Sequence, residues 1–438
     1  MITYDLCRWQ KSGGMEISMK IGFAQRCITP ALPIRLSGYA GKRIAENVLD
    51  DLFVKAMVYQ RGNETYGILS YDLIGIDDVV IRQLEAGMEK LHLRQENFLF
   101  AATHTHSGPG GVLETREGLL KPAADIFVET DPALAAYIAQ KSLEALGEAV
   151  GTCKETAVSI ALSTLDHVGD NRNSRDLKGN RDIAAAFFRQ EDGRKAVILN
   201  YACHPTVMNY KNQKVSADFP GAVAACMEQH GYDVCMYLNG SCGDISTRFS
   251  RRSSDSGELL RYGHMFEEKL LEMERDARPV EIHDFAVSYE TIRMDLKRPG
   301  DIEEAERELE ACEKRLKEAK QGGIGGSDLR VLESRKEGAQ CNLALAQNPY
   351  TMTSCDISVM FLNINRHIFV CVPGELFSEL SNPLQTERVH FIGYANGYLG
   401  YFADESAYDH FYYEALSSPF EKGQGERLMR LAAEAVGK

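Results

Sequence analysis

The sequence predicts an α/β (or α+β) protein of layered, mixed β-sheets flanked by helices, with an inserted two-helix hairpin. Three observations carry that expectation. Short apolar runs of strand length intermix with helical patterns along the chain. Several runs end in glycine- or proline-rich loops, as at Ser107-Gly108-Pro109-Gly110-Gly111 and Pro373-Gly374-Glu375. Asp301 to about Ala346 differs in kind: Glu, Lys, Arg, Ala and Leu dominate it, and Gly322-Gly323-Ile324-Gly325-Gly326 breaks it, as in two helices joined by a turn.

The elements follow in order. Met19–Thr29 reads as a first strand, ended by Pro30 and Pro33. Leu52–Gln60 and Thr65–Tyr71 flank Arg61-Gly62-Asn63-Glu64, a hairpin signature. Asp77 can cap a helix to about Leu93, and Phe98–Ala102 is a buried strand. Asp131-Pro132 opens a helix to about Val150, with Asp as N-cap and Pro at the first position. Thr156–His167 is a strand; Ile183–Arg189 and Lys195–Cys203 form a hairpin about Glu191-Asp192-Gly193. A turn through Ser216–Gly221 precedes a helix at Ala222–Gln229, a strand at Val234–Leu238, a helix at Gly257–Arg275 and a strand at His283–Arg293. After the hairpin, bounded at about 299–348, come strands at Ile357–Asn363 and Ile368–Val372. A helix after Glu375, a strand at Val389–Tyr394, a tyrosine-rich loop and two closing helices complete the chain.

Composition narrows the function classes. A net charge of -14 over 438 residues argues against nucleic acid, which needs basic patches. No apolar stretch approaches the roughly 20 residues that span a bilayer. Residues 1–18 are polar and patternless, a disordered leader without a secretory segment, so the folded domain is expected at 19–438. Eleven cysteines, an odd number without a C-x-x-C pair, suit a reducing, cytoplasmic setting. Charge patterning makes the hairpin a solvated insertion, with a homo-oligomer contact or a lid over the site as the alternatives.

The chemistry centres on Thr103-His104-Thr105-His106 at the end of the Phe98 strand. Side chains of a strand alternate, so His104 and His106 would share a face, one ring to bind an ion and the other to handle a proton. His204 ends another apolar strand, before Pro205. Glu375 follows a strand and two backbone-breaking residues; it is either a strand-end ligand or an acid in a first helical turn. Asn396–Tyr401 and Tyr408–Tyr413 concentrate phenols, which fit a core edge, a metal ligand or a donor to an oxyanion. The loop Cys242–Ser246 sets a hydroxyl beside backbone N–H groups. Competing motifs fail: the glycine loop lacks the G-K-[ST] of a phosphate loop. The His-x-His pair comes too late for an amidohydrolase barrel and lacks the downstream Asp-His of metallo-β-lactamase-type enzymes.

Thr103 to Gly111 resembles the signature of the neutral/alkaline (non-lysosomal) ceramidase family. Four further segments match in order: Ala202-Cys203-His204-Pro205-Thr206, Gly243-Asp244-Ile245-Ser246, Val372-Pro373-Gly374-Glu375, and Tyr401 followed by Tyr413-Glu414-Ala415. The resemblance covers roughly Lys20 to Phe420, the family's catalytic domain. It implies one zinc ion per chain held by His104, His204, Glu375 and Tyr401. It makes His106 the proton-transfer residue, Tyr413 the oxyanion donor and Ser246 the catalytic-loop serine. It expects an active-site arginine at Arg172, with Arg175 as the alternative alignment. Manganese and iron also suit this donor set. The implied activity is zinc-dependent cleavage of a linear amide by metal-activated water, on an N-acyl amine, a ceramide-like lipid or a smaller soluble amide. An ester, lactone or carbohydrate-derived substrate is the alternative. Family members acting on ceramide are exported and carry a further β-sandwich domain, which this sequence does not show. Thr247 replaces the family's proline after the loop serine.

Overall fold

The computed structural model describes residues 20–115, 118–174, 177 and 179–437; the leader expected at 1–18 lies outside the described residues. The first part of the chain supplies β1 (Lys20–Cys27), β2 (Phe53–Arg61), β3 (Glu64–Tyr71), β4 (Phe98–Ala102) and helix α1 (Pro132–Gly151). It continues with β5 (Lys154–Thr164), β6 (Asp182–Gln190), β7 (Lys195–Tyr201), α2 (Asp218–Gln229), β8 (Val234–Asn239) and α3 (Ser256–Asp276). The strands line up as β8-β7-β6-β5-β1-β2-β3-β4, and Arg278–Pro279 adds a short pairing to β5. Two pairs, β7 with β8 and β3 with β4, are parallel, and the others are antiparallel. The sheet curls until its ends meet, where Asn239 Nδ2 donates to Thr103 O at 3.0 Å.

A smaller sheet of β9 (Phe285–Asp295), β10 (Ser354–Ile364), β11 (His367–Cys371) and β12 (Val389–Ile392) runs in that order, its last pair parallel. The sheets bury a shared core: Ile21, Leu99 and Met236 from the larger meet Met360, Leu362 and Ile392 from the smaller. Each such aliphatic side chain contributes about 1.5–3 kcal/mol when fully buried. Between β9 and β10 the chain makes the hairpin, α4 (Ile302–Gln321) and α5 (Gly326–Gln347), and α6 (Gln424–Val436) closes it.

Local chemistry explains the helix starts. Asp131 accepts from the N–H groups of Ala133 and Leu134, with Pro132 pre-set for the first turn. Asp255 and Asp301 cap α3 and α4 through Glu258 N and Glu304 N.

Four expectations need correction. The helix from Asp77 is split into Asp78–Ile81 and Glu85–Lys90, because Gln83 and Leu84 donate three residues back, to Val80 O and Ile81 O. α2 begins at Asp218, so Pro220 lies inside its first turn rather than in a loop. Glu375 sits on a short strand, Glu375–Leu376, paired in parallel with Tyr401–Phe402, and not in a helical first turn. Three helices, Glu405–Asp409, Tyr413–Ser417 and α6, close the chain instead of two.

The parallel pairings matter most for function. β4, β7, β8, β11 and β12 bring their C-terminal ends to one side, and open α/β sheets collect their ligands at such ends.

Candidate active site

His104 reaches the site by a turn, not by strand alternation. β4 stops at Ala102, and His104 has φ +71°, with its N–H on Leu73 O at 2.9 Å. A positive φ outside glycine is uncommon and marks a position held by its surroundings. Here Ile74 O lies 2.6 Å from Nδ1, and the ring stacks on Tyr394 at 4.1 Å between centroids. His106 nevertheless meets it as expected, Nε2 to Nε2 at 3.1 Å. Gly38, at φ +94°, makes room: a Cβ there would lie 2.6 Å from His106 Nδ1.

His204 follows β7, with its N–H on Ile245 O at 3.0 Å and its Nδ1 2.6 Å from Cys242 O. Its Nε2 lies 2.9 Å from Glu375 Oε2, which is 3.4 Å from His104 Nε2. Tyr398 donates to the other oxygen, Oε1. Burial pushes the Glu375 carboxyl up, but the two imidazoles outweigh it and hold the group well below the usual carboxylate range.

These donors fit a cation. His104 and His204 each set Nδ1 against a backbone carbonyl, which assigns the proton to Nδ1 and leaves a lone pair on Nε2. Burial, and then Arg172, lower His204 to about 3; burial, with His104 and His204, lowers His106 well below the usual imidazole value. His204, so held neutral, aims its Nε2 lone pair at a carboxylate oxygen toward which His104 Nε2 also turns. That arrangement is repulsive unless a positive ion sits among them, and the N/O donor set suits a borderline divalent metal. The ligand atoms of His104, His106 and His204 lie within 4.8 Å of one another, so distance alone admits His106 as well. A second group among the described residues, Cys226, His264 and Glu267, lies where α2 meets α3. There His264 Nδ1 and Glu267 Oε2 close on each other at 2.7 Å, an ordinary shared proton.

Tyr401 is the register partner of Glu375. Its oxygen accepts from Arg172 Nη2 at 2.9 Å, and burial raises its pKa well above the phenol value while Arg172 opposes. Arg172 is itself buried against Glu414. Tyr413 stands edge-on to Tyr401, ring centroids 5.8 Å apart. Ser246 bridges in parallel to His204. His106, Arg172, Ser246, Tyr401 and Tyr413 all line one cavity of about 50 Å³. Arg175 lies outside the described residues.

The hairpin is not simply a solvated insertion. α4 faces outward, but Arg330, Ser334 and Glu337 of α5 form a wall of that cavity. Gly338 allows the docking: a Cβ there would sit 3.1 Å from Tyr413 Cα.

Several residues escaped sequence reasoning. Tyr398 lies in the tyrosine-rich loop, but a run of phenols does not say which one faces the carboxylate. Asp244 is buried and ties three loops together, accepting from Asn171 Nδ2 at 2.9 Å and from Ser378 N and Oγ at 2.7 and 2.8 Å. Burial pushes its carboxyl up to about 7, against the Ser378 hydrogen bonds.

Comparison with known proteins bears on the family and the fold. A family model described as neutral/alkaline non-lysosomal ceramidase, N-terminal, matches residues 19–240. Neutral ceramidases of Drosophila pseudoobscura pseudoobscura and Drosophila melanogaster are 23% and 22% identical over 275 residues. Those stretches are 53% of this chain and 37% of each relative, so the chain spans well under two thirds of the fly proteins it matches. The crystal structure of neutral ceramidase from Pseudomonas aeruginosa has a TM-score of 0.74 at 17% identity, covering 96% of this chain and 74% of that one. A ceramidase complexed with C2 has a TM-score of 0.71 at 14% identity over 96% and 75% of the two chains. No helix among the described residues is long and apolar enough to cross a membrane. The matched half of the sequence, with the shared fold, establishes that the chain belongs to the neutral/alkaline non-lysosomal ceramidase family of hydrolases.

Proposed function

We propose that the protein is a zinc-dependent hydrolase of linear amides, acting on short N-acyl amines rather than long-chain ceramides. One observation carries the reading: the Nε2 atoms of His204 and His104 converge on one Glu375 oxygen at 2.9 and 3.4 Å, beside a third imidazole. His104, His204, Glu375 and Tyr401 would hold the ion. When bound, zinc supplies Lewis acidity, which polarises an amide carbonyl and makes water nucleophilic near neutral pH.

The chain's own groups do the rest. His106, neutral and buried, takes the proton of the attacking water and returns it to the leaving amine nitrogen, a role worth about 10²–10⁴ in rate. Tyr413 donates its hydroxyl to the oxygen that gains charge; losing such a donor costs about 10²–10³. Arg172 holds the Tyr401 oxygen at 2.9 Å and is kept in place by Glu414. Ser246 anchors a polar substrate group. The preference for a short, polar substrate rests on the lining of that cavity, which is made of arginines, tyrosines and hydroxyls.

The test is metal analysis of the purified protein with a panel of short N-acyl amines, with and without chelator, and the His104→Ala variant. Bound zinc, and amide turnover lost on chelation and in the variant, is the expected result. Full activity from metal-free, folded protein overturns the reading, and ester turnover without amide turnover replaces it with an esterase.

A further inference from the structure

The cavity beside His106 carries more positive charge than its carboxylates balance. Four guanidinium groups line it: Arg172, Arg248, Arg251 and Arg330. Two are matched. Arg172 pairs with Glu414, and Arg330 makes a two-pronged pair with Glu337 at 2.7 and 2.8 Å. The other two have no carboxylate within ion-pair distance among the described residues. Arg248 donates to Arg172 O at 2.8 Å and to Ser334 Oγ at 3.1 Å, and Arg251 to Thr206 O. Arg248 is so placed that burial, and then Arg172 and Arg330, pull its pKa down to about 9.

Like charges gathered in a half-buried pit repel one another, and an anion held among them relieves that repulsion. Among the described residues Glu337 is the one carboxylate that lines the cavity, and Arg330 already holds it. The gathering is built: Arg330 and Ser334 come from α5, Arg248 and Arg251 follow the Ser246 loop, and Ser327 Oγ donates to Arg248 O at 2.8 Å to hold the two together.

We infer that Arg248 and Arg251, walled by Arg330 of α5, form an anion subsite, so that the amide this enzyme cleaves carries an acidic group, as in an N-acylated amino acid. This rests on the hydrolase reading and specifies its substrate class. A carboxylate offers two oxygens to a guanidinium fork and is small enough for the pit. The anion docks between the loop and α5, and the scissile carbonyl then faces His106 and Tyr413. The hairpin is thereby a specificity element.

Two experiments test this. The first is calorimetric binding of N-(methylsulfonyl)glycine, which has no cleavable amide, against its neutral carboxamide, to the metal-loaded protein. The carboxylate should bind at least about tenfold tighter, and the gap should close in Arg248→Met and Arg251→Met while Arg251→Lys retains part of it. Equal binding of the two probes, or a gap unchanged in both Met variants, overturns the subsite. The second is the kcat/KM ratio for N-hexanoylglycine over N-hexanoylethanolamine, with N-hexanoyltaurine as the sulfonate arm. The glycine conjugate should lead through a lower KM. A neutral preference with activity still lost on chelation overturns the subsite alone. Chelator-insensitive turnover overturns the hydrolase reading, whatever the binding ratio. A lead for the taurine conjugate keeps the anion subsite and changes its natural anion to a sulfonate.

Discussion

Gly38→Ala isolates what His106 does. The new Cβ would lie 2.6 Å from His106 Nδ1, whereas ordinary contact begins at 3.4 Å, so the imidazole must retreat by about 0.8 Å or more. Alanine at φ +94° adds backbone strain of about 1–3 kcal/mol, which a lowered Tm would register. A displacement near 1 Å costs about 10²-fold in a positioned proton transfer. The expected outcome is kcat/KM down by about that factor on a short N-acyl amino acid, with metal content at wild-type stoichiometry. Mass spectrometry under native conditions and steady-state kinetics measure both. Unchanged kcat/KM would refute His106 as the proton carrier. Loss of the metal together with activity would make His106 a ligand, which its 3.1 Å approach to His104 also permits.

Other expectations follow from the same geometry. Chelation should lower Tm, since a ligand present at about 1,000 times its Kd adds roughly 4 kcal/mol; in Glu375→Gln, differential scanning calorimetry should find that shift largely gone. Tyr398→Phe removes the hydroxyl that orients Glu375, and competition with a metal indicator should show affinity reduced about 10–100-fold. Gly338→Val places methyl groups against Tyr413 and Leu416, so it should cost about 1–3 kcal/mol and raise KM as α5 is pushed off the site; an unchanged KM would separate the hairpin from substrate binding. Lys297, half-buried and donating to the carbonyls of Ala415 and Leu416, has its pKa lowered by desolvation to about 8. Its contribution to stability is therefore full above the unfolded value of 10.5 and lost as pH falls through about 8. Denaturant titrations of the wild type and Lys297→Met across that window should show the wild type gaining on the variant as pH rises.

What was legible in the sequence was mostly local. Asp131-Pro132 and Asp301 announce their helices within four residues, because a cap is a bond between near neighbours. The hairpin could be read from composition, and its docking could not. Whether α5 lies against solvent or against Tyr413 depends on Gly338 meeting a helix more than seventy residues on. At the site, the signatures pointed to His104, His204 and Glu375, which the fold gathers within hydrogen-bond range of one another or slightly beyond. The path was misjudged: strand alternation would aim His104 and His106 together, yet the strand ends first and a left-handed residue does the aiming. The choice between Tyr398 and Tyr401 was equally hidden, since both lie in one aromatic loop and only the packed fold decides which phenol meets the carboxylate.

The two arms joined by the α4–α5 excursion already form an unbroken antiparallel ladder, from Phe285 opposite Ile364 to Asp295 opposite Ser354. Everything from 296 to 353 is thus spliced in where a tight reverse turn would serve. The pocket wall that α5 contributes is therefore an insertion into a closed ladder, so its length and sequence can drift without breaking the strands that carry it.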